Sequence, residues 1–154
     1  MDISLSDVSL GTYKQLLPAS LSIIKKAEKY FTEEQIDLNE LSKMRLIDDM
    51  APLTFQVFSI VHHSVGAIEA LKAGEFGPPK TPENLSFQDL VTMLENANSD
   101  LNKITEDEVN SLSGGEVIFK MGQIEWPFTS NDFILSFSLP NFYFHVTTMY
   151  DMFR

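Results

Sequence analysis

Leu139-Pro140-Asn141-Phe142-Tyr143-Phe144-His145-Val146-Thr147-Thr148-Met149-Tyr150 is the stretch on which the fold turns. Three consecutive aromatics, one histidine and a proline share a dozen positions. Phe133, Ile134, Phe137, Phe144 and Met152 recur around it at close to helical spacing, so the stretch reads as a long closing helix. Pro140 inside it removes one backbone hydrogen bond and bends the helix. Thr129 or Ser130 supplies the cap, with Asn131 or Asp132 in the first turn.

Upstream the pattern changes period. Glu116 to Lys120 and Gln123 to Phe128 alternate, are rich in β-branched and aromatic residues, and flank Met121-Gly122, which predicts a small hairpin. Before it, Ser86 with Asp89 opens a helix carrying Leu90, Val91, Leu94, Ala97, Leu101 and Ile104 on one stripe, and Thr105 to Glu108 predicts a further short capped turn. Asp48-Asp49-Met50-Ala51-Pro52 reads as the start of another helix, with Leu53, Val57, Ile60, Ala67, Ile68 and Leu71 apolar, stopped by Gly74 and Gly77-Pro78-Pro79. The first segment runs from about Ser6 to Phe31, with Pro18 marking a kink or a restart, and a short helix around Leu38 to Lys43 follows. Four long amphipathic segments without βαβ alternation predict an all-α, up-and-down four-helix bundle with a small β-hairpin between helices three and four, as one domain over residues 1–154. The loop from Gly77 to Pro82 joins helices.

Composition narrows the function classes. Twenty-two acidic residues against 11 basic ones give a formal charge of −11. Such a surface repels polyanions, which argues against nucleic acid and anionic membranes as partners. There is no cysteine, hence no disulfide framework, thiolate metal site or cysteine nucleophile. Met1-Asp2-Ile3-Ser4 shows no leader pattern, and the apolar run Leu53 to Val65 is too short and polar to span a bilayer. A cytoplasmic setting is the expectation. Nucleophile elbows, phosphate-cradling glycine loops and His-Glu-x-x-His are all missing from the sequence.

Three stretches carry a resemblance. They are Arg45-Leu46-Ile47-Asp48-Asp49-Met50-Ala51-Pro52-Leu53 followed by Gln56-Val57, the Gly66-Ala67 step, and Phe137 to Thr148. In order and spacing the chain resembles a bacterial and fungal family of unknown function within the DinB/YfiT-like four-helix bundles. Family members carry a short tail after the last helix; this sequence ends at Arg154. The wider superfamily includes metal-dependent members, and the resemblance implies a metal such as zinc or nickel held by one histidine on helix two and a His-x3-His pair on the last helix. Asn141 and His145 stand at that spacing here, and an asparagine amide is a poor ligand for either metal.

The candidate pocket follows from helical faces. Gln56 and His63 lie seven residues apart, and His145 shares a face with Asn141 and Thr148. If both faces point inward, Gln56, His63, Asn141, His145 and Thr148 form one polar patch. It reads first as hydrogen-bonded core, second as a small-molecule pocket, and third as a metal site on His63 and His145; the expectation favours no cofactor. His62 then faces solvent or a dimer partner. Asp48 and Asp49 read as helix caps near Arg45, and Trp126 as a seal over the bundle end. The functional expectations are a dimerising, non-catalytic or ligand-binding domain that forms a homodimer, and, as the alternative, a metal-dependent transferase or hydrolase working between helices two and four.

Overall fold

The computed structural model describes residues 3–154. Helix α1 (Leu5–Val8) leads into the long α2 (Leu10–Glu33), followed by α3 (Leu38–Ser42), α4 (Leu53–His62), α5 (Val65–Ala73) and strand β1 (Glu75–Phe76). Next come α6 (Phe87–Lys103), α7 (Glu106–Asn110), strands β2 (Glu116–Met121) and β3 (Ile124–Thr129), the single turn α8 (Ser130–Asp132), a π-helical turn (Phe133–Ser138) and α9 (Leu139–Met152). The molecule is mostly helical with a small three-stranded sheet.

Amphipathic stripes put the core where the sequence predicts it. Leu53, Val57, Ile60, Ala67 and Ile68 are sealed from solvent, as are Leu90, Leu94 and Leu101 of α6. Each fully buried Leu, Ile or Val contributes about 1.5–3 kcal/mol over an exposed one. Pro18 lies inside an unbroken α2 on its exposed side.

Capping explains several boundaries. Ser86 and Asp89 form a reciprocal capping box at α6, and the Thr105 side chain accepts from Glu108 N–H at α7. Gly74 ends α5 with φ 74°, a left-handed conformation that costs glycine little. The start of α4 differs from expectation: Pro52 is its N-cap and makes no side-chain cap bond, while Asp48 and Asp49 are exposed in the preceding turn. Arg45 donates to the Met50 carbonyl instead of pairing with them.

Residue contacts fix the helix directions. Tyr13 meets Phe142 and Phe31 meets Phe153, so α2 and α9 run the same way. Lys25 pairs with Glu95 and Lys14 reaches the Ile104 carbonyl, so α6 runs against α2. Gln56 meets His145 and His63 meets Ser138, so α4 runs against α9. Helices α4 and α6 are therefore parallel, and the expected up-and-down alternation is corrected to up, down, down, up. Residues 77–86 must carry the chain back along the helices before α6 begins. Extended, ten residues reach about 33 Å, enough to cover the roughly 25 Å that a 17-residue helix spans. The stiff Pro78-Pro79 and Pro82 suit a strut of that kind.

The hairpin forms where predicted, with Gly122 at φ 61° in its turn and Phe119 opposite Trp126. A strand that the sequence reading passed over, β1, joins it in parallel, with Phe76 opposite Phe119. Trp126 stacks on Phe119 at 5.8 Å yet stays half exposed, so it shields that ring and does not seal the helical end.

Candidate functional site

The candidate residues sit where α4 and α9 face each other. Helix α4 stops at His62, and the chain restarts as α5 two residues later, a break that the apolar periodicity does not show. Helix ends leave carbonyls without partners. Two serines supply them: Ser64 Oγ donates to the Ile60 carbonyl at 2.7 Å, and Ser138 Oγ donates to the His63 carbonyl at 3.0 Å. The π-helical turn delivers Ser138. There the Leu139 N–H reaches back five residues to Ile134, immediately before Pro140, which has no N–H to offer.

His145 Nδ1 lies 2.7 Å from Gln56 Oε1. The Gln56 amide nitrogen donates to the Ala51 carbonyl at 3.0 Å. The amide orientation is thereby fixed, and His145 is the donor in the shorter bond. His63 stacks on His145 with ring centroids 6.0 Å apart and planes 17° apart. Its Nδ1 lies 3.4 Å from Ser138 Oγ. That oxygen spends its own proton on the His63 carbonyl, so it accepts from the ring. Phe55 and Phe144 close on His145, and Phe76 and Phe137 on His63.

Burial sets the charge state. It pushes His63 down to about 3, with His62 and His145 adding to the effect. It pushes His145 down to about 4, again with a contribution from His62. Both rings are neutral near pH 7. Gln56, His63 and His145 are 1 %, 5 % and 8 % exposed, so the predicted inward faces are real.

Other predicted members fall away. Asn141 is only half-buried and donates its amide to the Phe137 carbonyl, at 2.7 Å and four residues back. Thr148 is buried but makes no side-chain hydrogen bond to the group. His62 does not look out to solvent: it stacks on Phe76 at 4.3 Å and donates from Nε2 to the Gly77 carbonyl at 2.8 Å. Burial also lowers its pKa. Ser138 and Tyr13 are the residues missed. The Tyr13 hydroxyl is fully buried beside Ser138 without a hydrogen bond of regular geometry, and burial drives its pKa upward. The signal for Ser138 was its seven-residue distance from His145, two helical turns on one face.

The metal site that the superfamily resemblance implies does not fit these donors. Its second last-helix position holds Asn141, whose amide nitrogen is engaged with Phe137. Gln56 Oε1 is engaged with His145, and among the described residues no three His, Asp or Glu side chains converge on a point that could hold an ion. Two imidazoles alone fall short of the three protein ligands usual for such a centre.

Comparison with known proteins agrees with the fold. A crystal structure described as a DinB family member protein from Shewanella denitrificans is similar with a TM-score of 0.77 at 19 % identity, over 96 % of this chain and 83 % of that one. At that identity the likeness speaks for the fold alone. No protein with a curated description matches. No helix among the described residues is long and apolar enough to cross a membrane. Residues 5–154 match the family model described as domain of unknown function (DUF1993), and the chain belongs to that family, an uncharacterised one of DinB-like architecture.

Proposed function

We propose that this chain is a four-helix bundle whose histidine cluster is a structural joint, and that it acts without metal chemistry by pairing with a second copy through the outer face of α9. The observation that carries the first half is the 2.7 Å bond between His145 and Gln56, with the Gln56 amide tied to Ala51. The two side chains that would hold a ligand at this level hold each other. Buried polar groups that satisfy one another specify a packing and leave little to offer a substrate.

The pairing rests on charge. From Phe133 to Tyr150 the sequence has no Asp, Glu, Lys or Arg, in a chain of net charge −11. Two copies repel each other wherever carboxylates dominate, and an uncharged face escapes that penalty. Tyr143 is 44 % and Phe144 53 % exposed there, and aromatic side chains are favoured in interface cores. A two-fold axis would set this face against itself. A cytoplasmic setting belongs to the same proposal and is supported by the cysteine-free sequence.

A second reading keeps one observation in its favour. No hydrogen bond among the described residues uses Nε2 of His63 or His145, so a small hydrogen-bond donor would find two neutral acceptors. Light scattering coupled to size exclusion, with metal analysis on protein purified without chelator, tests the main reading. A dimer that Phe144→Glu converts to a folded monomer, with no stoichiometric metal, is expected. A wild-type monomer at all concentrations overturns the pairing. Stoichiometric zinc or nickel lost in His145→Ala overturns the structural joint.

A further inference from the structure

At the far end of the helices, away from the histidines, α2 and α9 part to leave a cleft of about 370 Å³. Its walls are Tyr30 and Phe31 from α2 and Tyr150 and Phe153 from the end of α9. The rings brace one another: Tyr30 sits edge-on to Phe31 at 5.2 Å, and Phe153 touches both Phe31 and Phe87. The mouth carries two cations, Lys26 and Arg154.

Those cations are unusual for this chain. Among the described residues Lys25, Lys29, Lys43, Lys72, Lys103 and Lys120 all pair with carboxylates. Lys14 and Arg45 donate to backbone carbonyls. Among the described residues, that leaves Lys26, Lys80 and Arg154 of the 11 basic side chains without a protein acceptor. Two of these three stand at one aromatic cleft, on a protein with twice as many acidic as basic side chains. Bringing two like charges together without a counter-ion is unfavourable, and an anion placed between them removes the cost.

We propose that this cleft binds a small organic anion: an aromatic or short apolar body with one carboxylate at its end. The body lies among Tyr30, Phe31, Tyr150 and Phe153, and the carboxylate meets Lys26 and the planar guanidinium of Arg154, a group suited to two-pronged pairing. The volume falls within the roughly 300–1,000 Å³ usual for small-ligand sites. Tyr150 ends the uncharged stretch of the pairing face and also lines the cleft, whereas Phe144 is not among the lining residues, so a dimer-breaking Phe144→Glu leaves the cleft lining unchanged.

The test compares three probes with one body: 4-phenylbutyrate, 4-phenylbutyramide and 4-phenylbutylamine, titrated into the 15N-labelled chain and followed by amide shifts. The expected result is binding of the carboxylate at roughly 0.1–1 mM, typical of so small a ligand, at least about tenfold tighter than the amide or amine, with shifts confined to residues around Ile23, Phe31 and Phe153. Lys26→Glu with Arg154→Glu, both at exposed positions, is expected to reduce carboxylate binding to the level of the amide without altering the circular dichroism spectrum. Equal binding of the three probes, carboxylate binding that survives the double charge reversal, shifts centred elsewhere, or no binding at 10 mM probe, about tenfold above the weakest expected affinity, overturns it.

Discussion

On the side of α9 that faces α4, polar side chains are mostly tied to one another: Gln56 holds His145 and Ala51, and Ser138 holds His63, with the two ring Nε2 atoms and the Tyr13 hydroxyl left over among the described residues. Near its C-terminal end, where it faces α2, the reverse holds, and Lys26 and Arg154 stand over an aromatic cleft with no partner among the described residues. One helix thus borders both a closed polar system and an open one. The difference separates two meanings of a conspicuous residue. A histidine draws the eye because histidines do chemistry, yet here each ring is fastened to its neighbours. Ordinary surface cations draw no attention, yet they are the groups whose bonding is incomplete. Unspent hydrogen-bonding and charge capacity is a better guide to a binding site than residue type.

Acid should attack the closed side first. His63 and His145 titrate at about 3 and about 4 in the fold, and near 6.5 when unfolded. Their folded values are depressed, so below pH 6.5 the unfolded chain takes up protons that the native chain refuses. The stabilisation is complete above 6.5 and is lost as pH falls towards 4. At pH 5 each histidine should have cost about 2 kcal/mol relative to pH 7. Urea midpoints at pH 7, 6 and 5 measure it, above most carboxylate titration. A flat profile would mean that the rings accept protons in place and that the site is open after all.

Taking the closed side apart comes next in size. His145→Leu strands the Gln56 carbonyl in the core and should cost about 2–3 kcal/mol. Gln56→Leu strands the His145 N–H at a similar cost. The double variant removes both ends of the bond and should lose clearly less than the sum, a coupling of about 1 kcal/mol or more. Additive losses would show that the pair does not act as one unit.

The sequence made a good part of this legible, for local reasons. The capping box at Ser86, the Thr105 cap, the hairpin around Gly122 and the buried stripe of α6 each depend on neighbours within a few residues. Gln56, His63 and His145 were found because seven residues are two helical turns. What stayed hidden depends on distant contacts. Helices α4 and α6 run parallel because of a crossover whose length, not composition, decides direction. The two-residue β1 exists only because β2 lies beside it. Ser138 was missed because its role depends on the distant His63 carbonyl that it caps, not on anything near it in the chain. Asp48 and Asp49 had the composition of caps, but the α4 backbone starts at Pro52, too late for either to reach it.

The smallest expected effect bears hardest on the comparison. Lys25 and Lys26 are neighbours on α2, and of the two only Lys25 has a carboxylate among the described residues, reaching Glu95 on α6. An exposed pair of that kind contributes about 0.2–1 kcal/mol, so Lys25→Ala should lower the urea midpoint slightly. Lys26→Ala breaks no ion pair seen among the described residues and takes one of two like charges from the cleft mouth. It should leave stability unchanged within about 0.5 kcal/mol or raise it. The ordering should invert once the anion is bound: with a saturating aromatic carboxylate the wild type gains stability by mass action and Lys26→Ala gains much less. If Lys26→Ala were instead as costly as Lys25→Ala in ligand-free buffer, Lys26 would have an acceptor within the fold, and both sides of α9 would be closed.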